Sequence, residues 1–265
     1  LKDMAKKVKI VLVMVFLYIA VMYVQKLFKS MEELKADVEE YKKGIDYLKE
    51  KLKLEAGEVD SLDNYAVINV NGIIWMTSNL NTDTFANGDY IPEVREESAW
   101  LDLDSGAWCY YDNNPAMGDK YDRIYNWYAV GDERGLCPCG WEVASDQDWQ
   151  DLVAYYGGKY ASVYYLNSDS GWCQKGLSAN ASGFNALPGG YRPTHLESGG
   201  TNNDFDGRCG GVWWSSTEGM LILDKYVRNK TAYGMDLNLS DTYRANNAWY
   251  VGQYVRCVKQ KLDKL

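Results

Sequence analysis

Six cysteines and one histidine bound the chemistry open to this chain of 265 residues. Cys137 and Cys139 are separated by Pro138 alone, one residue short of C-x-x-C, and His195 in "YRPTHLESGG" is the only imidazole. A tetrahedral zinc site therefore lacks ligands, and a Ser-His or Cys-His nucleophile would rest wholly on His195. "NNDFDGRCG" sets Asn202, Asp204, Asp206 and Gly207 at the spacing that opens a calcium loop. The twelfth position of that loop should be Glu and is Trp213, so the stretch reads as a polar Asn/Asp turn. Among 37 acidic residues no pair is singled out for glycosidase-type work. The expectation is a chain that is not an enzyme and carries no cofactor or metal.

What does stand out is a late run of rings and amides, "AYGMDLNLSDTYRANNAWYVGQYVRC". Apolar residues alternate along it, and Tyr, Trp, Asn and Ser dominate. That palette suits contact without chemistry, since Tyr and Trp give rigid area and Asn and Ser adapt their hydrogen bonds.

Strands and turns must position such a surface. "NYAVINVNGIIWMTSNLNT" holds two β-rich runs joined by Asn71-Gly72, a type I′ hairpin signal. Residues 80 to 120 are polar with scattered aromatics, which predicts long ordered loops. "YDRIYNWYAVG" predicts a short helix with Ile124, Trp127 and Tyr128 on one face, ended by Gly131. Ser145 and Asp148 form a capping box for a helix whose apolar face is Trp149, Leu152, Val153 and Tyr156 and which Gly157-Gly158 closes. "GGVWWSST" and "YVGQYVRCVK" are the firmest late strands. Trp75, Trp127, Trp141, Trp149, Trp213 and Trp214 are expected in the core; Arg192 in "GFNALPGGYRP" is expected to fix a loop by hydrogen bonds. The sum is an α+β reading.

The first sixty residues have no Cys, Trp or Pro and are organised differently. Residues 10 to 24, "IVLVMVFLYIAVMYV", are unbroken apolar behind Lys2, Lys6, Lys7 and Lys9. Extended past Gln25 and a snorkelling Lys26 to Phe28, the run reaches about 19 residues, enough to cross a bilayer. It reads as an uncleaved signal anchor over residues 1–29, with the bulk of the chain outside. From Met31 a heptad follows: Met31, Val38, Ile45, Leu52 and Val59 at a; Leu34, Tyr41, Leu48 and Leu62 at d. That predicts a coiled-coil stalk over 30–62 and a homo-oligomer, dimer or trimer. The head is then 63–260. A net charge of −9 without a Lys/Arg cluster beyond residue 60 argues against nucleic acid.

Taken in order, "IIWMTSNLNT", "WCYYDNNPAMGDKYDRIYNWYAVG", "GLCPCGWEVASDQDW", "GFNALPGGYRP", "GGVWWSSTE" and "YVRCVK" resemble the Fibrobacter succinogenes major paralogous domain family. The likeness covers about residues 65 to 259. Ala144 stands where the family usually has Pro, Glu142 where His is common, and Cys139 is an extra thiol. The family is related to the formylglycine-generating, sulfatase-modifying-factor group. The resemblance implies a C-type-lectin-like fold, with two helices beside a small twisted sheet and long binding loops. It also marks Cys137 and Cys257 as a recurrent disulfide pair; Cys109, Cys139, Cys173 and Cys209 stay unassigned, six cysteines allowing fifteen connectivities. The closely spaced Cys pair of the formylglycine-generating relatives is missing beside Cys257, so that activity does not carry over. The calcium motifs of sugar-binding lectins, Glu-Pro-Asn and Trp-Asn-Asp, are missing too. Proteins of this lectin-like kind are also targets of diversity-generating retroelements, which vary the last strands. By that analogy Tyr226, Tyr233, Asp236, Asn238, Asn246, Trp249 and Tyr250 line a ligand-facing surface.

These readings converge on an anchored display protein, periplasmic or on the cell surface, whose head binds a protein or glycan noncovalently. The alternative is a structural component of a surface or phage-related complex that has no separate ligand.

Overall fold

The structure, a computed structural model, describes residues 35, 60–62, 65–173, 178–193, 209–220 and 230–260. The expected anchor, nearly all of the stalk, His195, the Asn202–Gly207 turn and Tyr226 lie outside the described residues. All described residues from Asp60 on belong to one compact unit, Lys53–Leu265. None of the described helices is long and apolar enough to cross a membrane.

The architecture is α+β, with short helices among mainly antiparallel sheets. β1 (Asp60–Leu62), β2 (Tyr65–Val70) and β3 (Ile73–Met76) open the main sheet. Leu62, a d position in the heptad reading, thus lies on a strand paired with β2 and not on a helix. Asn71 and Gly72 have φ of 51° and 90°, the double left-handed pair that a type I′ turn requires. The last strand, β10 (Cys257–Gln260), inserts between β3 and β6 (Glu142–Val143). The two ends of the head therefore meet in one sheet, and the Cys137–Cys257 disulfide fastens this junction across 120 residues of chain. A second disulfide, Cys173–Cys209, is one that the spacing left open. Two such bridges suit an extracellular or periplasmic domain, because thiols stay reduced in the cytosol.

Between these ends the chain forms α1 (Glu97–Leu101), β4 (Trp108–Cys109), α2 (Pro115–Tyr121), β5 (Ile124–Tyr125), α3 (Trp127–Val130), α4 (Asp146–Tyr155) and α5 (Ser162–Leu166). The expected helix over "YDRIYNWYAVG" is only partly right. Ile124 and Tyr125 pair with β4, and Asn126 breaks the chain into extended backbone before α3 begins. α4 carries the expected capping box, Ser145 and Asp148 each bonding the other's backbone N–H. A second sheet runs β7 (Gly211–Glu218), β8 (Thr231–Leu237) and β9 (Thr242–Ala248). Of "YVGQYVRCVK", residues 252 to 254 make only isolated bridges, and the regular strand starts at Cys257.

Trp213 and Trp214 are adjacent on β7, so they point to opposite faces of its sheet. Both are fully buried. Trp213 joins a cluster with Trp75, Trp149, Phe184 and Tyr254; Trp214 joins one with Trp108, Tyr125, Trp127 and Val251. All six tryptophans expected in the core are there. Each ring buries on the order of 200 Å², worth about 5 kcal/mol, which offsets the ordering of many loop residues.

A polar knot ties the loops to this core. Arg256, fully buried, donates to Asn79 Oδ1 (3.0 Å) and to the carbonyls of Met76 (2.9 Å), Phe184 (3.1 Å) and Asn185 (3.0 Å). Asn79 Oδ1 also accepts from Trp213 Nε1 at 2.7 Å, and its Nδ2 donates to Tyr121 O at 2.9 Å. Asp122 supplies a nearby negative charge from a backbone with φ 66° and ψ −156°, a region otherwise reserved for glycine. Arg192 plays the expected part elsewhere, donating to the Val94 and Arg95 carbonyls at 2.9 Å each.

A candidate aromatic and acidic groove

The pairing of β8 with β9 sorts the late residues. Tyr233 lies opposite Asn246 and Asp236 opposite Tyr243. Residues 233 and 236 differ by an odd number, so their side chains leave the sheet on opposite faces. On one face the Tyr233 ring carries the Arg244 guanidinium at 3.4 Å, and Arg244 Nε reaches Asp146 Oδ1 at 2.7 Å. Asn246, also on that face, donates to Met220 O at 3.2 Å. On the other face the Tyr243 hydroxyl donates to Asp236, whose carboxyl burial lifts to about 6. Behind them the fully buried Gln253 amide lies against Gly234, where a Cβ would come within 2.7 Å of its oxygen. Neither amide atom of Gln253 has a hydrogen-bond partner among the described residues.

The remaining expected residues go elsewhere. Asn238 builds the β8–β9 turn, its Oδ1 accepting the N–H groups of Ser240 (2.8 Å) and Asp241 (2.9 Å). Tyr250 is buried, 7% exposed, and its carbonyl accepts the Trp100 indole at 2.7 Å. Trp249 is half-buried and opens on a groove of about 480 Å³. The structure does not bring the six described candidates together: they fall in five separate surroundings, and of the six only Trp249 lines this groove.

The groove is built by hydrogen bonds to backbone. Asn126, the N-cap of α3, accepts from the N–H groups of Ala129 (3.1 Å) and Ala107 (3.0 Å) and donates to Ser105 O at 2.9 Å. One buried amide thus holds the 104–106 loop against α3. Trp127 N–H donates to Trp249 O at 2.8 Å, Trp127 Nε1 to Ser215 O at 2.8 Å, and Trp249 Nε1 to Thr231 O at 2.9 Å. The Trp127 and Trp249 rings lie 4.4 Å apart, and Tyr128 meets Trp249 edge-on at 5.4 Å. Gly131 closes α3 where a Cβ would stand 2.5 Å from the Trp127 ring.

Carboxylates line the rest: Asp104, Asp132, Glu133 and Glu218, with Arg134 as the one cation in the lining. Arg134 is already committed. It bonds Asp132 at 2.8 Å, which holds that carboxyl below the usual range, and Asp89 at 3.1 Å, whose carboxyl the Asn87 side chain and then Arg134 hold low; it also lies 3.9 Å over the Phe85 ring. Asp104, Glu133 and Glu218 have no ion pair among the described residues. A wall of rings facing unpaired carboxylates can seat a group that offers an apolar face together with donors or positive charge.

Other chemistry is thin. Cys109 is fully buried and its thiol pushed up to about 11, so it is unreactive; Cys139 is exposed and unpaired. Among the described residues no three His, Cys, Asp or Glu side chains converge as metal ligands. Asp104, Glu133 and Glu218 were not among the expected site residues, and Tyr128 was expected only on one face of a short helix with Ile124 and Trp127. They lie up to 145 residues from Trp249 (249 − 104), with no local signal to link them. A search among curated proteins and one among solved structures each found no match. The sequence pattern of the Fibrobacter succinogenes major domain, in contrast, matches residues 68–259, spanning β2 to β10 and most of the chain. This chain belongs to the Fibrobacter succinogenes major domain family.

Proposed function

We propose that this chain is a recognition protein that works outside the cytoplasm and binds a protein or glycan noncovalently through the groove beside Trp249. The single observation that carries this reading is the pairing of partly buried rings, Trp249 and Tyr128, with unpaired carboxylates on walls set by backbone hydrogen bonds. Walls fixed before the ligand arrives lose little entropy on binding, which favours affinity over a loose surface of the same composition. In this reading the head is a lectin-type scaffold, raised on a stalk of two or three chains and held by the 1–29 anchor. No covalent step is assigned to any of its residues. The test is a glycan and protein array probed with the chain and with its Trp249→Ala form. A ligand retained by the first and released by the second supports the groove; a ligand held equally by both places recognition elsewhere.

The assembly alternative draws on a different feature. Tyr155 and Tyr160, 50% and 73% exposed, stand near the join of α4 and α5, where rings on a flank suit packing between subunits. Chains that associate through this corner, with no array ligand, would favour it.

A further inference from the structure

We propose that the groove takes a lysine-type amine on a protein partner, and that Lys230 occupies the Trp249 ring until that amine displaces it. The proposal rests on the reading of the groove as the recognition site and names the group recognised.

Lys230 is exposed at the foot of β8, and its ammonium stands 4.6 Å from the centre of the Trp249 ring. It has no carboxylate partner among the described residues. The chain therefore already demonstrates the contact: an unpaired primary ammonium settles on this indole, the aromatic side chain that attracts cations best. What Lys230 lacks is a carboxylate. Lys230 is not among the residues that line the groove; Asp104, Glu133 and Glu218 are, unpaired, together with Trp249, and Arg134 cannot neutralise them because Asp132 and Asp89 hold it. A partner's amine entering along the groove meets the ring and these acids together. Net charge of −9 draws such a partner in. A neutral sugar would also stack on the ring, but it would forfeit the field of three unpaired carboxylates. An anion would meet that field as repulsion.

Lys230 then acts as a competitor, which gives the test a sign. Ligand-observed NMR on the full chain in detergent, with an acetylated and amidated Gly-Lys-Gly peptide as probe, reads weak binding directly. Replacing the exposed Lys230 (Lys230→Gln) frees the ring and removes a like charge, so the peptide should bind about 3- to 10-fold more tightly. Glu133→Gln with Glu218→Gln should weaken it by a similar factor, as should raising salt from 0.1 to 0.5 M. Nε-acetylation of the probe lysine should abolish binding. Unchanged or weaker binding by Lys230→Gln, or an acetylated probe that binds as well as the free amine, overturns the proposal. A neutral chito-oligosaccharide that binds in the lysine peptide's place, insensitive to salt and lost in Trp249→Ala, overturns the amine but keeps the groove as recognition site. If neither probe nor any array ligand depends on Trp249, both readings fall.

Discussion

Replacing Asp236 with Asn should stabilise the protein at neutral pH and change little in acid. Asp236 lies on β8, where desolvation raises its carboxyl from 3.8 to about 6; Tyr243's hydrogen bond opposes the rise and Asp241 adds to it. The folded chain therefore holds this proton more tightly than the unfolded chain does. That contribution is complete below about pH 4 and is lost as pH climbs through about 6. A lift of about two units, at about 1.4 kcal/mol each, makes the charged carboxylate a burden of about 3 kcal/mol at pH 7. Asn has nearly the same shape, keeps an oxygen for the Tyr243 hydroxyl and never ionises. For a unit of about 200 residues, 3 kcal/mol corresponds to roughly 6–12 °C in Tm. Urea unfolding of wild type and Asp236→Asn, followed by circular dichroism from pH 3.5 to 7.5, tests this. The difference should be near zero in acid and reach about 3 kcal/mol above pH 6.5. A difference that is flat with pH, or an Asn form less stable at pH 7, would refute the claim that burial outweighs the Tyr243 hydrogen bond.

Three further outcomes follow from the packing. Cys137 and Cys257 should appear in one linked peptide pair on non-reducing mass mapping, and replacing both with Ala should cost about 5 kcal/mol, the closure entropy of a 120-residue loop. A free thiol at Cys257 would contradict it. Arg256→Met strips four hydrogen bonds from Asn79 and three carbonyls and should cost at least about 3 kcal/mol in urea unfolding; a loss under about 1 kcal/mol would mean that water or neighbours replace the guanidinium. Gly131→Ala forces the Trp127 ring aside, so about 1–3 kcal/mol of stability should go, along with ligand retention at the groove. Intact stability in a calorimeter would show that the ring has room to move.

Much of the frame was legible because its causes are local. Asn71-Gly72 turns where two φ angles must be positive, and Ser145 with Asp148 starts a helix because each side chain reaches the other's backbone N–H. The helix expected over residues 121–131 went half wrong for a non-local reason: Ile124 and Tyr125 gain more from β4 than from helical periodicity. The late residues were harder. Alternation said that some would face out, but not which: Tyr233 ended under Arg244, Tyr250 in the interior and Asn238 inside a turn.

By itself, then, the sequence determined the family, the main turns and caps and the buried tryptophans, while the bridge between Cys137 and Cys257 was implied only through the family resemblance. Tertiary structure alone decided that Asp104, Tyr128, Glu218 and Trp249 share one groove. The reason lies in distance along the chain. Caps and turns are settled within a few residues, whereas the groove depends on the β7–β8 register and on Asn126 clasping a loop some 20 residues upstream, contacts that exist only once the core has packed.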